Sequence, residues 1–140
     1  MLTLYNLGFR RMSLGIQDFG LRVQDIINRI QPYETVADVT ATARTIGYTS
    51  INYDLVYGLP LQTMESVGDT INKVMQLRPD RISFYSYAHV PWVKGAGQRR
   101  YAEADLPKDE EKRALCELGK TLFAENRLYR DRDGPLCFTP

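Results

Sequence analysis

The stretch Ile51 to Thr63, INYDLVYGLPLQT, constrains the fold of this chain more than any other. Alternation sends Ile51, Tyr53 and Leu55 to one face of a strand and Ser50, Asn52 and Asp54 to the other. Gly58 and Pro60 break the strand, and Thr63 is placed to cap a following helix by accepting an amide hydrogen bond at its open N-terminus. A strand with an apolar back and a polar front implies a cavity on the polar side. In parallel α/β sheets and barrels such cavities lie at the C-terminal strand edge.

The same design recurs earlier. From Arg10 to Ile16 the residues Met12, Leu14 and Ile16 share one face, while Arg11, Ser13 and Gly15, followed by Gln17, share the other. A third strand is expected over Arg81 to Ala88, admitted by Pro79. Helical spacing fills the intervals. Met1 to Leu7 reads as the last turns of a helix closed by Gly8, and Leu21 to Arg29 as a short helix before Pro32. Tyr33 to Ile46 carries the stripe Val36, Val39, Ala43 and Ile46 and stops at Gly47. Met64 to Leu77 buries Val67, Ile71, Val74 and Met75. A last helix starts at Pro107, with Asp109, Glu110 and Glu111 suited to its N-terminus and Leu115, Leu118, Leu122 and Phe123 as its apolar face.

Strands each followed by helix imply parallel pairing, so the fold class is α/β with about three parallel βα units. A closed barrel needs eight such units and about 250 residues. The 140 residues are therefore expected to be a fragment of a larger barrel.

A net charge of +1 and a pI near 7.7 give no electrostatic reason to expect a nucleic-acid or anionic-membrane partner. No apolar run approaches the roughly 20 residues that span a bilayer, and the start MLTLYNLGFRR lacks a signal-peptide layout. A cytoplasmic protein is expected. Cys116 and Cys137 have neither CxxC nor zinc-ligand spacing, so no metal ligands are assigned, and Cys116 reads as a small buried hydrophobe in a helix.

Gln17, Asp54 and Ala88 each fall at the C-terminal end of an expected strand. Helix capping or loop hydrogen bonding explains Gln17 and Asp54 as well as ligand contact does. Arg29 ends a short helix, where the dipole favours a cation, and its planar fork also suits a carboxylate. His89 is the sole histidine, in a position that fits a structural role or a catalytic one. Tyr53, Tyr57, Tyr85 and Tyr87 suit an aromatic pocket or strand–helix packing. Gly95 and Gly97, with Lys94, Arg99 and Arg100, form a weak phosphate-loop signal or a solvated basic loop. No Ser/His/Asp arrangement or carboxylate pair stands out.

Taken together, SLGIQDF (Ser13 to Phe19), NRIQ (Asn28 to Gln31), GYTSINYDLVYGLPLQT (Gly47 to Thr63), RPDRISFYSYAHVPW (Arg78 to Trp92) and ADLP (Ala104 to Pro107) form a specific set. The chain resembles the oxygen-independent coproporphyrinogen III oxidase family of radical S-adenosylmethionine (SAM) enzymes, up to about Asn126. The radical-SAM haem chaperones, haem-binding relatives that share the DLIYGLPxQT stretch, are the alternative. Asp18, Asn28, Gln31 and Tyr87 to His89 favour the oxidase.

The resemblance implies a partial TIM-type (βα)6 barrel holding a [4Fe-4S] cluster and two S-adenosylmethionine molecules. It implies oxidative decarboxylation of two propionates of coproporphyrinogen III to vinyl groups, giving protoporphyrinogen IX in haem biosynthesis, by an intact protein that is a monomer. Motif match carries Gln17, Arg29 and Asp54 onto positions contacting the second S-adenosylmethionine and Ala88 onto one contacting the first. The family's CxxxCxxC cluster motif has no counterpart here, so this polypeptide alone is expected to be inactive. After Leu128 the family continues with something like YxxIGMDHFALP, whereas here YRDRDGPLCFTP follows. One back-translation of Tyr129 to Pro140, read one base later, gives IGIGMDHFALP. Two parts are expected: barrel and following helix over 1–127, and over 128–140 a foreign tail such as a shifted reading frame would produce.

Overall fold

The computed structural model describes residues 1–90, 92 and 100–126, together with the backbone at 129–130 and 137–139. In chain order these form α1 (Leu2–Asn6), β1 (Arg11–Gln17), α2 (Leu21–Ile26), α3 (Tyr33–Ile46), β2 (Ser50–Tyr57), α4 (Met64–Gln76) and β3 (Arg81–Ser86). A 3-10 turn at Glu103–Asp105, α5 (Asp109–Glu125), β4 (Tyr129–Arg130) and β5 (Cys137–Thr139) follow.

β1 pairs with β2 and β2 with β3, both in parallel, as the βα alternation predicts. The sheet is not closed: its order is β1-β2-β3-β5-β4. Backbone from the expected foreign tail extends it, since β5 pairs antiparallel with β3 and β4 with β5. The Gly95/Gly97 loop with Lys94 and Arg99, and the side chain of Cys137, lie outside the described residues.

The helices pack on the apolar back of the sheet. Ile51, Tyr53 and Leu55 of β2 are at most 1% exposed and join Ile16, Ile82 and Phe84 from the neighbouring strands. Val36 and Ala43 of α3, Val67, Ile71 and Val74 of α4, and Leu115 and Phe123 of α5 complete this core. The Tyr53 hydroxyl is satisfied there by the Thr40 hydroxyl on α3. Gly119 lets α5 settle onto β3, because a Cβ there would lie 2.3 Å from Phe84.

Local chemistry sets the element ends. Gly47, at φ +112°, donates to the Ala43 carbonyl and stops α3. Thr63 and Ser66 cap α4 reciprocally: the Ser66 amide donates to Thr63 Oγ1 at 3.1 Å and the Thr63 amide to Ser66 Oγ at 2.9 Å. Asp80 fixes the start of β2 by accepting from the Ile51 amide at 2.8 Å and pairing with Arg44 at 2.7 Å.

Four boundaries differ from expectation. α2 ends at Ile26, so Arg29 lies beyond the helix and the dipole argument for it fails. The cause is the buried Gln24 side chain. Its Nε2 donates to the Asp18 and Gln31 carbonyls and its Oε1 accepts from the Gln31 amide, turning the chain with Asn28 at φ +55°. β2 runs on to Tyr57 because Leu55, Val56 and Tyr57 pair with Phe84, Tyr85 and Ser86, so Asp54 is a mid-strand residue rather than a strand end. β3 stops at Ser86, where Gly58 at φ +85° turns β2 away, so Ala88 lies two residues past the strand. α5 starts at Asp109 rather than Pro107; the Lys108 amide donates to Glu111 at 2.8 Å.

Candidate S-adenosylmethionine site

The polar front of the sheet is a hydrogen-bonded row. Asn52 Nδ2 donates to Ser13 Oγ at 2.8 Å and to Asp54 Oδ1 at 2.7 Å, and Ser13 Oγ donates to Asp54 Oδ2 at 3.0 Å. The Asp54 carboxylate is thereby aimed on the open face. Its register partner on β1 is Gly15.

Gly15 is where the site is assembled. Arg29 Nη2 donates to the Gly15 carbonyl at 2.7 Å. A Cβ on Gly15 would lie 3.0 Å from that nitrogen and 3.1 Å from the Gln17 amide nitrogen. The absent side chain leaves room for both groups to lie over the strand. One of the five guanidinium N–H donors is engaged by the carbonyl, which orients the fork.

Gln17 reaches this position through its backbone. The register shifts between Gly15 and Gln17, Gln17 has φ +67°, and the Asp18 amide donates to the Ile16 carbonyl at 2.9 Å. That three-residue turn with positive φ is strained for a residue with a side chain. It directs Gln17 to a cavity of about 270 Å³ shared with Ile27, Arg29, Val56, Leu59, Tyr87 and Tyr101.

The structure thus brings Gln17 and Arg29 together on one cavity and places Asp54 on the same face, across from Gly15. Neither Asp54 nor Ala88 is among the cavity-lining residues; Ala88 is exposed, between Tyr87, which lines this cavity, and His89. Of the four tyrosines considered, only Tyr87 lines the cavity. Tyr53 is in the core, Tyr57 packs on Phe84 with ring centroids 4.7 Å apart, and Tyr85 is exposed. The Tyr87 hydroxyl pairs with that of Tyr101, and burial together with this partner pushes the Tyr87 phenol upward, so it remains a neutral wall. His89 Nδ1 lies 3.4 Å from the Tyr101 hydroxyl and lines a neighbouring cavity of about 400 Å³ with Lys108 and Lys112.

Sequence reasoning missed Asp18, Gln62, Thr70 and Tyr101. Asp18 is 1% exposed and accepts from the Gly20 amide at 2.5 Å, Gln62 Nε2 at 2.7 Å and Thr70 Oγ1 at 3.3 Å. Burial, the largest cause, raises its carboxyl above the usual 3.8 despite these donors. The available signal was that Asp18 and Gln62 follow two strand ends of like design.

The donor set fits an amino-acid-bearing nucleoside: a guanidinium fork and an amide beside apolar and aromatic walls, with a carboxylate elsewhere on the same sheet face. It does not fit an iron–sulfur cluster. Among the described residues no group of three or more His, Cys, Asp or Glu side chains could hold a metal ion.

An open sheet with three parallel strands, helices on its back and a polar cavity on its front is an α/β arrangement of the partial-barrel kind. The solved coproporphyrinogen III oxidase of Escherichia coli, a radical SAM enzyme, superposes with a TM-score of 0.90 at 39% identity, covering 99% of this chain and 31% of that one. An archaeal Elp3 from Methanocaldococcus infernus shares the fold alone, with a TM-score of 0.71 at 17% identity over 86% of this chain and 29% of that one. In sequence the chain is related to the oxygen-independent coproporphyrinogen III oxidases. It is 48% identical over 117 residues to that of Helicobacter pylori strain J99, covering 84% of this chain and 25% of the relative. It is 46% identical over 123 residues to the anaerobic coproporphyrinogen III oxidase 1 of Cereibacter sphaeroides, covering 88% and 27%. The chain thus spans about a quarter of the length of the curated relatives it matches. No protein-family model matches it.

Proposed function

We propose that this chain forms the S-adenosylmethionine-binding wall of an oxygen-independent coproporphyrinogen III oxidase. The whole protein would oxidatively decarboxylate two propionates of coproporphyrinogen III to vinyl groups, giving protoporphyrinogen IX in haem biosynthesis. It acts as a cytoplasmic monomer on this small molecule. The observation that carries the reading is the convergence of Gln17 and Arg29 over Gly15, opposite Asp54.

Bound S-adenosylmethionine supplies hydrogen-abstracting radical chemistry; the residues of this chain hold and orient it. The Arg29 fork suits the ligand's carboxylate. Asp54, prealigned by Ser13 and Asn52, accepts from ribose hydroxyls or an amine. The Gln17 amide both donates and accepts, while Ile27, Val56, Leu59, Tyr87 and Tyr101 line the cavity and exclude water. Ala88, beyond β3, is assigned to the first S-adenosylmethionine and the other three residues to the second.

A chimera tests this: residues 1–126 replace the matching segment of the Escherichia coli enzyme, and anaerobic porphyrinogen decarboxylation is followed. Retained activity that falls at least tenfold on Arg29→Ala supports the reading. A folded chimera that binds S-adenosylmethionine no better than its Arg29→Ala variant contradicts it.

A further inference from the structure

Asp18 and Gln62 are buried, lie 44 residues apart in sequence, and meet through a side-chain hydrogen bond. Gln62 uses its whole amide. Its Oε1 accepts from the Gly58 amide at 2.7 Å and the Leu59 amide at 3.0 Å, and its Nε2 donates to Asp18 Oδ2 at 2.7 Å and the Val56 carbonyl at 2.8 Å. A flipped amide would set oxygen against a carboxylate and a carbonyl, and nitrogen against two N–H donors. The orientation is therefore fixed by four partners at once.

On the other side Asp18 is held by the Gly20 amide and by Thr70 of α4, whose Oγ1 also accepts from the Phe19 amide at 3.1 Å. Asp18 is the residue whose amide closes the strained turn at Gln17. Val56 and Leu59, which Gln62 grips, line the same cavity as Gln17. One buried network thus ties the end of β1 to the end of β2 and to α4.

We propose that Asp18 and Gln62 are positioning residues: their network holds Gln17 in its positive-φ turn and fixes its spacing from the Val56 and Leu59 wall. This rests on the reading of the cavity as an S-adenosylmethionine site. A positive φ in a non-glycine residue persists where surrounding structure enforces it; here Gln24 Nε2 holds the Asp18 carbonyl at 2.9 Å, while the Asp18 side chain, through Gln62, ties the turn to the end of β2. Neither residue touches the ligand; both act through Gln17 and the wall.

The test is a reciprocal perturbation in the full chain. Amide hydrogen exchange is read in Asp18→Asn and, as a milder variant that preserves shape, Thr70→Val. Asp18→Asn presents a donor where Gln62 also presents one, so the Gly58 and Leu59 amides across the sheet are expected to exchange at least tenfold faster, with core amides of α3 unchanged. Thr70→Val is expected to speed exchange at Asp18 and Phe19. In parallel, S-adenosylhomocysteine affinity is measured for Asp18→Asn, Gln17→Ala and the double variant. If Asp18 acts through Gln17, each single change weakens binding by about tenfold and the double variant is no weaker than Gln17→Ala alone. Losses that multiply, or Gly58 and Leu59 amides that exchange at the unaltered rate, overturn the proposal. If the variants show the exchange coupling but the unaltered chain has no affinity for S-adenosylhomocysteine, the cavity reading and the positioning role resting on it fail, while the coupling between strand ends stands.

Discussion

Arg29 donates from Nη2 to the carbonyl of Gly15, 14 residues earlier, at 2.7 Å. This contact exists because α2 ends early and the chain turns back over β1, and because Gly15 has no side chain to prevent it. A residue that pattern places at a helix end instead lines a cavity on the open sheet face.

Gly15→Ala tests that arrangement. The new methyl would press on the flexible ends of Arg29 and Gln17, at 3.0 and 3.1 Å, and not on backbone. The fold is expected to tolerate it, with a change in Tm of no more than about 2 °C. S-adenosylhomocysteine affinity is expected to fall about tenfold, roughly 1.4 kcal/mol. Calorimetric titration of both proteins checks this, and equal affinities would show that the two side chains do not hold ligand.

Asp18 makes stability depend on pH in a direction opposite to that of an ion-paired acid. Its folded pKa lies above the usual 3.8, so the folded state binds the proton more tightly than the unfolded chain does. Its contribution is then fully present below the unfolded value and is lost as pH rises through the raised one. The stability of the unaltered protein relative to Asp18→Asn is expected to decline as pH is raised from about 4 and then to level off. Urea melts of both proteins across that range measure the difference; a gap that widens with pH would mean Asp18 is held as a favoured anion.

Gly119→Ala probes the contact between α5 and β3. A methyl 2.3 Å from the Phe84 ring meets a side chain wedged between Tyr57 and Phe123, with ring centroids 4.7 and 5.4 Å away. Overpacking costs about 1–3 kcal/mol, against a gain of about 1 kcal/mol from replacing glycine within a helix. A net loss of about 1 kcal/mol is expected, read as a Tm lower by a few degrees, and Phe84→Leu in the same chain is expected to restore part of it. A Tm unchanged by Gly119→Ala would mean α5 does not pack there.

Much of this was legible in the sequence, for identifiable reasons. Two-residue alternation in INYDLVY fixed which side of β2 faces helices, because burying one face leaves no freedom of register. Thr63, Gly47 and Gly58 marked element ends because capping and positive φ have few chemical solutions. Gln17, Arg29 and Asp54 were singled out through family motifs more than through spacing, and the structure places the first two on one cavity. Tyr101 was missed because its approach to Tyr87 is a tertiary event with no local periodicity. Asp18 and Gln62 were missed because a buried polar pair looks in sequence like two turn residues, and the shorter α2 because its end is set by Asn28 at positive φ and by Gln24 holding the Gln31 backbone.

The central claim is that Gln17, Arg29 and Asp54 share one ligand. Titrating the isotopically labelled chain with S-adenosylhomocysteine while following the Gln17 side-chain amide by NMR tests it most directly. Saturable shifts of that amide, with affinity at least tenfold weaker in Arg29→Ala and Asp54→Asn and not rescued by Arg29→Lys, are the expected result. A Gln17 amide that does not move at saturating ligand, or affinities that ignore both substitutions, would contradict the account.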